Sequence, residues 1–146
     1  MRQRFEIPGT PMPWQVWIRK SKPTPTYLEM QAWQAQVSAY LRSLWQGPPI
    51  DTIVSLDTIF WLPWPEHGPQ KLQRAVEKFK FTQLGKKPDL DNYRKACTDA
   101  CQGILFHNDS QVVDGYMRKN YLEPPAIEGY TVIEIQDYPT LEDYES

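Results

Sequence analysis

The segment from Lys87 to Val113 constrains the fold more than any other part of the chain, because it predicts a helix, a turn and a strand in succession. Pro88 disfavours helical backbone just before it, Asp89 can cap a helix, and the apolar residues that follow recur at helical spacing. Wound at roughly 100° per residue, this helix has two distinct faces. The apolar face comprises Tyr93, Ala96, Cys97, Ala100 and Ile104, and the polar face comprises Asp91, Lys95, Asp99 and Gln102. Asp89 and Asp91 are therefore predicted to lie at the start of a half-buried helix.

A third carboxylate, Asp109, follows the predicted helix in a turn. The helix is predicted to end near Gly103 to Phe106, where glycine can supply a C-terminal stop, and residues 107–110 can turn the chain. The next segment, Gln111 to Tyr121, is rich in β-forming residues and predicts a strand. If this strand packs beside the helix, Asp109 lies near the helix start.

Three carboxylates beside a lysine favour a metal site for phosphodiester hydrolysis. Mg²⁺ takes oxygen ligands and keeps several waters, so Asp89, Asp91 and Asp109 together with a substrate phosphate suit it. Lys95 would place a compact positive charge on a phosphoryl oxygen. The same residues have a second explanation, in which Asp89 only caps the helix and Asp91 and Lys95 form an exposed pair worth about 0.3 to 0.5 kcal/mol. The residue pattern alone leaves both explanations open.

A longer pattern around these positions resembles one protein family. It runs from Lys87-Pro-Asp-Leu-Asp-Asn through Lys95-Ala, Asp99-Ala and Gly103 to Asn108-Asp109-Ser110-Gln111-Val112. This pattern closely resembles the RusA family of Holliday junction resolvases, which are small, dimeric, Mg²⁺-dependent endodeoxyribonucleases of bacteria and their phages. The opening Phe5-Glu-Ile-Pro-Gly-Thr-Pro is similar to the first strand of that family.

The resemblance implies a fold, a reaction and a set of catalytic residues. The fold would be α/β (α+β), with a mixed β-sheet flanked by helices, in a homodimer. The protein would resolve four-way DNA junctions by paired nicks in recombination and repair, with Mg²⁺ as cofactor and Mn²⁺ able to substitute. Asp89, Asp91 and Asp109 would bind the metal, and Lys95 would be the catalytic lysine. The alternatives are a non-catalytic module that binds branched DNA, and a flap or general nuclease that uses the same site.

The charge distribution is compatible with DNA binding although the formal net charge is −2. Residues 1–120 carry all 16 Lys and Arg and 11 Asp and Glu, whereas residues 121–146 carry seven acids and no bases. A basic body can neutralise phosphates. The residues predicted to contact nucleic acid are Arg19, Lys20, Lys22, Lys86, Lys87 and Arg94. We predict one nuclease domain over residues 1–136 and an acidic, flexible tail over residues 137–146.

Hydrophobic spacing predicts the remaining elements. Strands are predicted at Arg4–Ile7, Ile50–Trp61 and Gly129–Ile135, and a helix at Thr26–Trp45. Residues 61–86 are predicted to form a basic, partly helical insertion that contacts either DNA or the partner subunit. The predicted element order is therefore β-α-β-(helical insertion)-α-β-β.

Two further features have more than one interpretation. Asp57, on a predicted strand, can support the metal site, or it can simply face solvent or pair with another residue. Aromatic faces can stack on unpaired bases at a junction centre. The tryptophans that neighbour prolines and basic loops are candidates for that role, or for packing in the core or the dimer interface; they are Trp14, Trp17, Trp61 and Trp64.

The sequence shows no signal for export, membrane insertion or zinc binding. It has no apolar run long enough to span a membrane, and its first residues lack the apolar region of a signal peptide. Cys97 and Cys101 lack the spacing of a zinc knuckle and are predicted to be buried thiols. We therefore expect a protein that acts on DNA in the cytoplasm of a bacterial or phage-infected cell, with no membrane association.

Overall fold

The computed structural model describes residues 1–15, 22–64, 89–123 and 126–146. The helices are α1 (Pro25–Leu44), α2 (Leu90–Cys101) and the short α3 (Leu141–Glu145), with a 3₁₀ turn at Asp109–Gln111. The strands are β1 (Arg2–Pro8), β2 (Ile53–Leu62), β3 (Val112–Asp114), β4 (Met117–Tyr121) and β5 (Tyr130–Tyr138). Within these ranges no helix is both long and apolar enough to cross a membrane.

The five strands form one mixed sheet. β5 lies between β1 and β2 and is antiparallel to both. β3 and β4 follow one another along the other edge of β2, and both run parallel to it. This sheet, together with the helices, confirms the predicted α+β class. The predicted order of elements also holds, except that two strands replace the single strand predicted at residues 111–121 and the short α3 follows the last strand. Most of the predicted insertion lies outside the described residues.

One face of the sheet forms the core with the two long helices. Along β2 every second side chain is buried, as a half-buried strand requires. The buried residues of β2 are Val54, Leu56, Thr58, Phe60 and Leu62, and those of α1 are Met30, Trp33, Val37 and Leu41. The apolar face predicted for α2 is buried, and the ring of Tyr93 packs on that of Phe60 with centroids 5.6 Å apart. The helix that carries the predicted site is thus fixed against the centre of the sheet.

Two side chains of α1 also bind the backbone of α2. Gln34 Nε2 donates a hydrogen bond to the carbonyl oxygen of Ala96 at 3.0 Å, and Ser38 Oγ donates to that of Ala100 at 2.8 Å. Gln34 and Ser38 lie one turn apart on the side of α1 that faces α2. The position of α2 along the sheet is therefore set by polar contacts as well as by apolar packing.

The strand predicted at residues 111–121 is broken into β3 and β4, because the chain at Gly115 passes very close to β2. Gly115 has a φ of +123°, and a Cβ atom there would lie 2.0 Å from the carbonyl oxygen of Leu56. The chain rejoins β2 where the backbone N–H of Thr58 donates to the carbonyl oxygen of Tyr116 at 3.0 Å. The single predicted strand was wrong in this detail.

The acidic C-terminal residues continue the fold beyond residue 136. β5 runs to Tyr138, and a reciprocal capping box between Thr140 and Asp143 starts α3. The ring of Tyr144 packs edge-on against that of Tyr138, with centroids 5.2 Å apart. The strand therefore crosses the predicted domain boundary, and the flexibility of residues 137–146 stays a prediction.

Candidate active site

Asp89 and Asp91 lie at the N-terminal end of α2, as predicted. Asp89 is the N-cap residue, with extended backbone angles of −68° and 148°, yet its side chain makes no capping hydrogen bond. Asp91 lies in the first turn, and both residues are exposed. The N-terminal end of α2 therefore carries two exposed carboxylates, and that of Asp89 is not used in capping.

Lys95 lies one turn further along α2 on the same exposed face as Asp91. Its Nζ atom is 4.7 Å from the centroid of the Trp14 ring, a cation–π distance. Trp14 reaches this position because the chain after β1 crosses the start of α2, where the Trp14 N–H donates to the carbonyl oxygen of Asn92 at 2.9 Å. The ammonium group thus lies between an aromatic ring and solvent.

Asp109 is exposed at the start of the 3₁₀ turn, and the side chain of Gln111 fastens that turn to the protein. Gln111 Oε1 accepts hydrogen bonds from the backbone N–H groups of His107 at 2.8 Å and Asn108 at 2.9 Å. Its Nε2 donates to the carbonyl oxygens of Ile50 and Thr52, both at 2.8 Å. One amide side chain therefore positions the Asp109 turn relative to the residues that lead into β2.

The charge of Asp109 acts on the C-terminal half of α2. Burial raises the pKa of the Asp99 carboxyl, Lys95 opposes this shift, and the negative charge of Asp109 raises the pKa further. Along a helix, Asp99 lies about 12 Å from Asp91. Among the described residues there is no group of three or more His, Cys, Asp and Glu side chains that could hold a metal ion. Helix α2 thus brings Asp89, Asp91 and Lys95 together, whereas the three-carboxylate metal site stays a prediction.

The exposed carboxylates nevertheless match the donor chemistry of a hard divalent cation. Mg²⁺ is usually bound through one or two protein carboxylates, with waters and substrate phosphates completing its shell. Asp89 and Asp91 offer oxygen donors on the exposed end of α2, and Lys95 lies on the same helix face as Asp91. These residues fit a magnesium ion that also binds a substrate phosphate.

Arg94, predicted to contact DNA, has partners inside the protein. Its Nη1 donates to Thr58 Oγ1 at 2.9 Å and to the carbonyl oxygen of Tyr116 at 3.3 Å. Burial lowers the pKa of Arg94, and among the nearby groups that oppose this shift is Asp57. Asp57 itself accepts a hydrogen bond from the Tyr116 N–H at 3.0 Å. Arg94 and Asp57 therefore bind the turn between β3 and β4, and a contact of Arg94 with DNA stays a prediction.

Lys119 is a basic residue of the site that the sequence analysis missed. It lies on β4 opposite Phe60, so its side chain starts from the sheet face on which α2 packs. Burial lowers the pKa of Lys119, whereas the negative charge of Asp89 raises it. The signal that would have revealed this residue is its position two residues before the buried Tyr121, since alternate residues of a strand share a face.

The other predicted DNA contacts are dispersed. Lys22 is exposed just before α1. Arg19, Lys20, Lys86 and Lys87 lie outside the described residues. Their contacts with nucleic acid therefore stay predictions.

Comparison with known proteins places this arrangement in a family. An uncharacterized protein of Bacillus subtilis (strain 168), YqaN, is 36% identical over 77 residues, which is 51% of this chain and 54% of that protein. The chain thus matches only about half the length of that curated relative. The family described as Endodeoxyribonuclease RusA matches residues 6–135, a range that begins in β1 and ends in β5. The chain therefore belongs to the RusA endodeoxyribonuclease family, as its sequence motif indicated.

Proposed function

We propose that this protein is a metal-dependent endodeoxyribonuclease that resolves four-way DNA junctions. The observation that carries the proposal is the arrangement on α2, where exposed Asp89 and Asp91 share the helix end with Lys95 in a chain of the RusA family. If Asp91 and Lys95 formed only a stabilising side-chain pair, the helix would not need the exposed Asp89 carboxylate, which makes no capping hydrogen bond.

The carboxylates would bind the metal, and the lysine would act on the substrate. Asp89, Asp91 and Asp109 would hold Mg²⁺, or Mn²⁺ in its place. When bound, the ion neutralises charge on the scissile phosphate and lowers the pKa of a bound water. Asp89 and Asp91 lie at the N-terminal end of α2, where their exposed side chains would be able to act as ligands. Lys95 donates hydrogen bonds to a non-bridging phosphate oxygen and stabilises the charge that builds up there in the transition state.

Resolution of a junction requires two cuts. Paired nicks in opposite strands need two copies of the active site, and a symmetric homodimer presents such a pair. The basic residues of each subunit would bind the phosphates of the junction arms and would make binding strongly dependent on salt.

A cleavage assay with a labelled four-way junction tests the proposal. With Mg²⁺ or Mn²⁺ we expect symmetric nicks, and with EDTA we expect a bound but uncut junction. Asp89→Asn, Asp91→Asn and Asp109→Asn should each abolish cleavage but keep junction binding, and Lys95→Ala should slow cleavage by about a hundredfold or more. Asp51→Asn, which changes an exposed carboxylate outside the site, is the matched control and should cut normally.

The same assay separates the alternatives. A module that only binds branched DNA would shift the junction without a metal-dependent cut. A flap or general nuclease would cut flap or linear duplex substrates as fast as the junction. Light scattering on the purified protein would show whether it is a dimer, as paired cutting requires.

A further inference from the structure

Among the described residues, Lys95 contacts an aromatic ring and forms no close ion pair with a carboxylate. Its Nζ atom lies 4.7 Å from the centroid of the Trp14 ring, within the range in which an indole attracts a cation. Asp91 and Asp99 are the neighbours four residues before and after it on the helix, where ion pairs commonly form. None of the ion pairs between described residues involves Lys95.

The Trp14 ring is held in place from the same helix that carries Lys95. Its backbone N–H donates to the carbonyl oxygen of Asn92 at 2.9 Å, three residues before Lys95. The side chain is half-buried against the hydrophobic core, and the next residue, Gln15, donates its N–H to Met30 Sδ at 3.1 Å. The backbone of Trp14 is therefore tied to α2 and its ring to the core, which places the ring beside Lys95.

A cation–π partner suits a lysine that must bind phosphate. A lysine side chain on an exposed helix face loses rotamer entropy when it is fixed. An ion pair with Asp91 or Asp99 would fix it too, but would neutralise its charge and occupy one of its N–H donors. The indole face attracts the charge without a lone-pair acceptor, so all three N–H donors remain available for phosphate oxygens.

We infer that Trp14 is a positioning residue that holds the Lys95 ammonium group, with its donors available, at the phosphate-binding end of α2. The inference rests on the proposed function of Lys95. Trp14 acts through Lys95 and touches neither the substrate nor the reacting atoms. It thus differs from a tryptophan that stacks on an unpaired base.

The test is a double-mutant cycle on junction cleavage. Trp14→Leu should lower kcat by about three- to thirtyfold, the range of a cation–π contact, with junction affinity changed less than twofold. Trp14→Phe, which keeps an aromatic face, should recover most of the rate. In the Lys95→Ala background Trp14→Leu should have no further effect, because the ammonium group is already gone.

Trp45→Leu is the matched control for a half-buried tryptophan, since Trp45 packs on Phe5 with centroids 6.3 Å apart. Its effect on the cleavage rate should be the same with and without Lys95. An equal loss from Trp14→Leu in both backgrounds would overturn the inference, and so would a loss confined to junction affinity, which would indicate base stacking. If Trp14→Leu does not fold, Trp14→Met, which fills the space without an aromatic face, takes its place.

A spectroscopic measurement separates failure of this inference from failure of the proposed function. The side-chain protons of Lys95 should show an upfield NMR shift from the indole ring current, which should vanish in Trp14→Met and persist in part in Trp14→Phe. This readout does not require nuclease activity. A Lys95 spectrum unchanged by Trp14→Met would overturn the inference even in an active enzyme.

Discussion

Arg94 Nη1 donates a hydrogen bond to Oγ1 of Thr58, at 2.9 Å, and thereby links α2 to the buried face of β2. The same nitrogen reaches the carbonyl oxygen of Tyr116, which also accepts the N–H of Thr58. In the preceding peptide, the Tyr116 N–H donates to Asp57 Oδ1 at 3.0 Å. One turn of the chain is thus held by an arginine of the helix and an aspartate of the strand.

We expect Arg94→Met to act on stability. It removes a charged donor from the buried Thr58 hydroxyl and from the Tyr116 carbonyl, so the free energy of unfolding should fall by about 1.5 to 3 kcal/mol. The dependence of junction affinity on salt should keep its slope, because no phosphate contact is lost. Urea unfolding and binding titrations at several salt concentrations measure the two quantities.

Arg42→Met is the control for Arg94→Met, since Arg42 is exposed in the last turn of α1. Its effect on stability should stay within about 0.5 kcal/mol. A salt slope reduced by about one in Arg94→Met would show instead that Arg94 contacts a phosphate, as the sequence predicted.

Local patterns revealed much of the site. Helical spacing placed Asp91 and Lys95 together on an exposed face, and the cap position of Asp89 followed from Pro88 and the apolar residues after it. The orientation of the Arg94 side chain could not be predicted from this spacing, because it depends on a hydrogen bond to Thr58, which is 36 residues away in the chain. Contacts between residues so far apart leave no trace in hydrophobic spacing.

The position of Asp109 illustrates the same limit. Its turn was predicted correctly, but its place along α2 depends on hydrogen bonds from Gln111 to the carbonyls before β2. The break at Gly115 likewise depends on how close the backbone passes to Leu56. The sequence predicts which residues form the elements, while the distances between elements depend on such tertiary contacts.

Gln111→Met should loosen the turn that carries Asp109. Methionine is similar in length but makes none of the four backbone hydrogen bonds, so we expect a loss of about 1 to 3 kcal/mol in unfolding free energy. Hydrogen exchange of the His107 and Asn108 amides should become faster, since Gln111 Oε1 protects both. Gln31→Met, at an exposed glutamine with a single bond to Tyr27, is the control and should change neither quantity appreciably. If the exchange of these amides is unchanged in Gln111→Met, the Gln111 side chain does not hold this turn in place.

Gly115→Ala should be far more harmful than the same change at another glycine with positive φ. At Gly115 a Cβ atom would lie 2.0 Å from Leu56 O and 2.6 Å from Leu56 C, backbone atoms that cannot move without disturbing β2. We expect a loss of more than about 3 kcal/mol, or failure to fold. At Gly103, where φ is +80° and a Cβ would meet nothing within 4 Å, only the backbone strain of about 1 to 2 kcal/mol should appear. Equal losses in the two variants, measured by urea unfolding, would refute the close approach to Leu56.

The buried phenol of Tyr93 should make the protein sensitive to alkali. Burial raises the pKa of Tyr93 well above its usual value, and the charge of Tyr121 adds to the shift. In the unfolded chain the phenol ionises at about pH 10, so as the pH rises the unfolded state loses this proton before the folded state does. The stability that depends on the neutral phenol is therefore fully present below about pH 10 and is lost above it, at up to about 1.4 kcal/mol per pH unit. Unfolding in urea between about pH 8 and pH 11 should show a shallower decline for Tyr93→Phe than for the wild type. Parallel declines would mean that the Tyr93 phenol ionises as easily in the folded protein as in the unfolded chain.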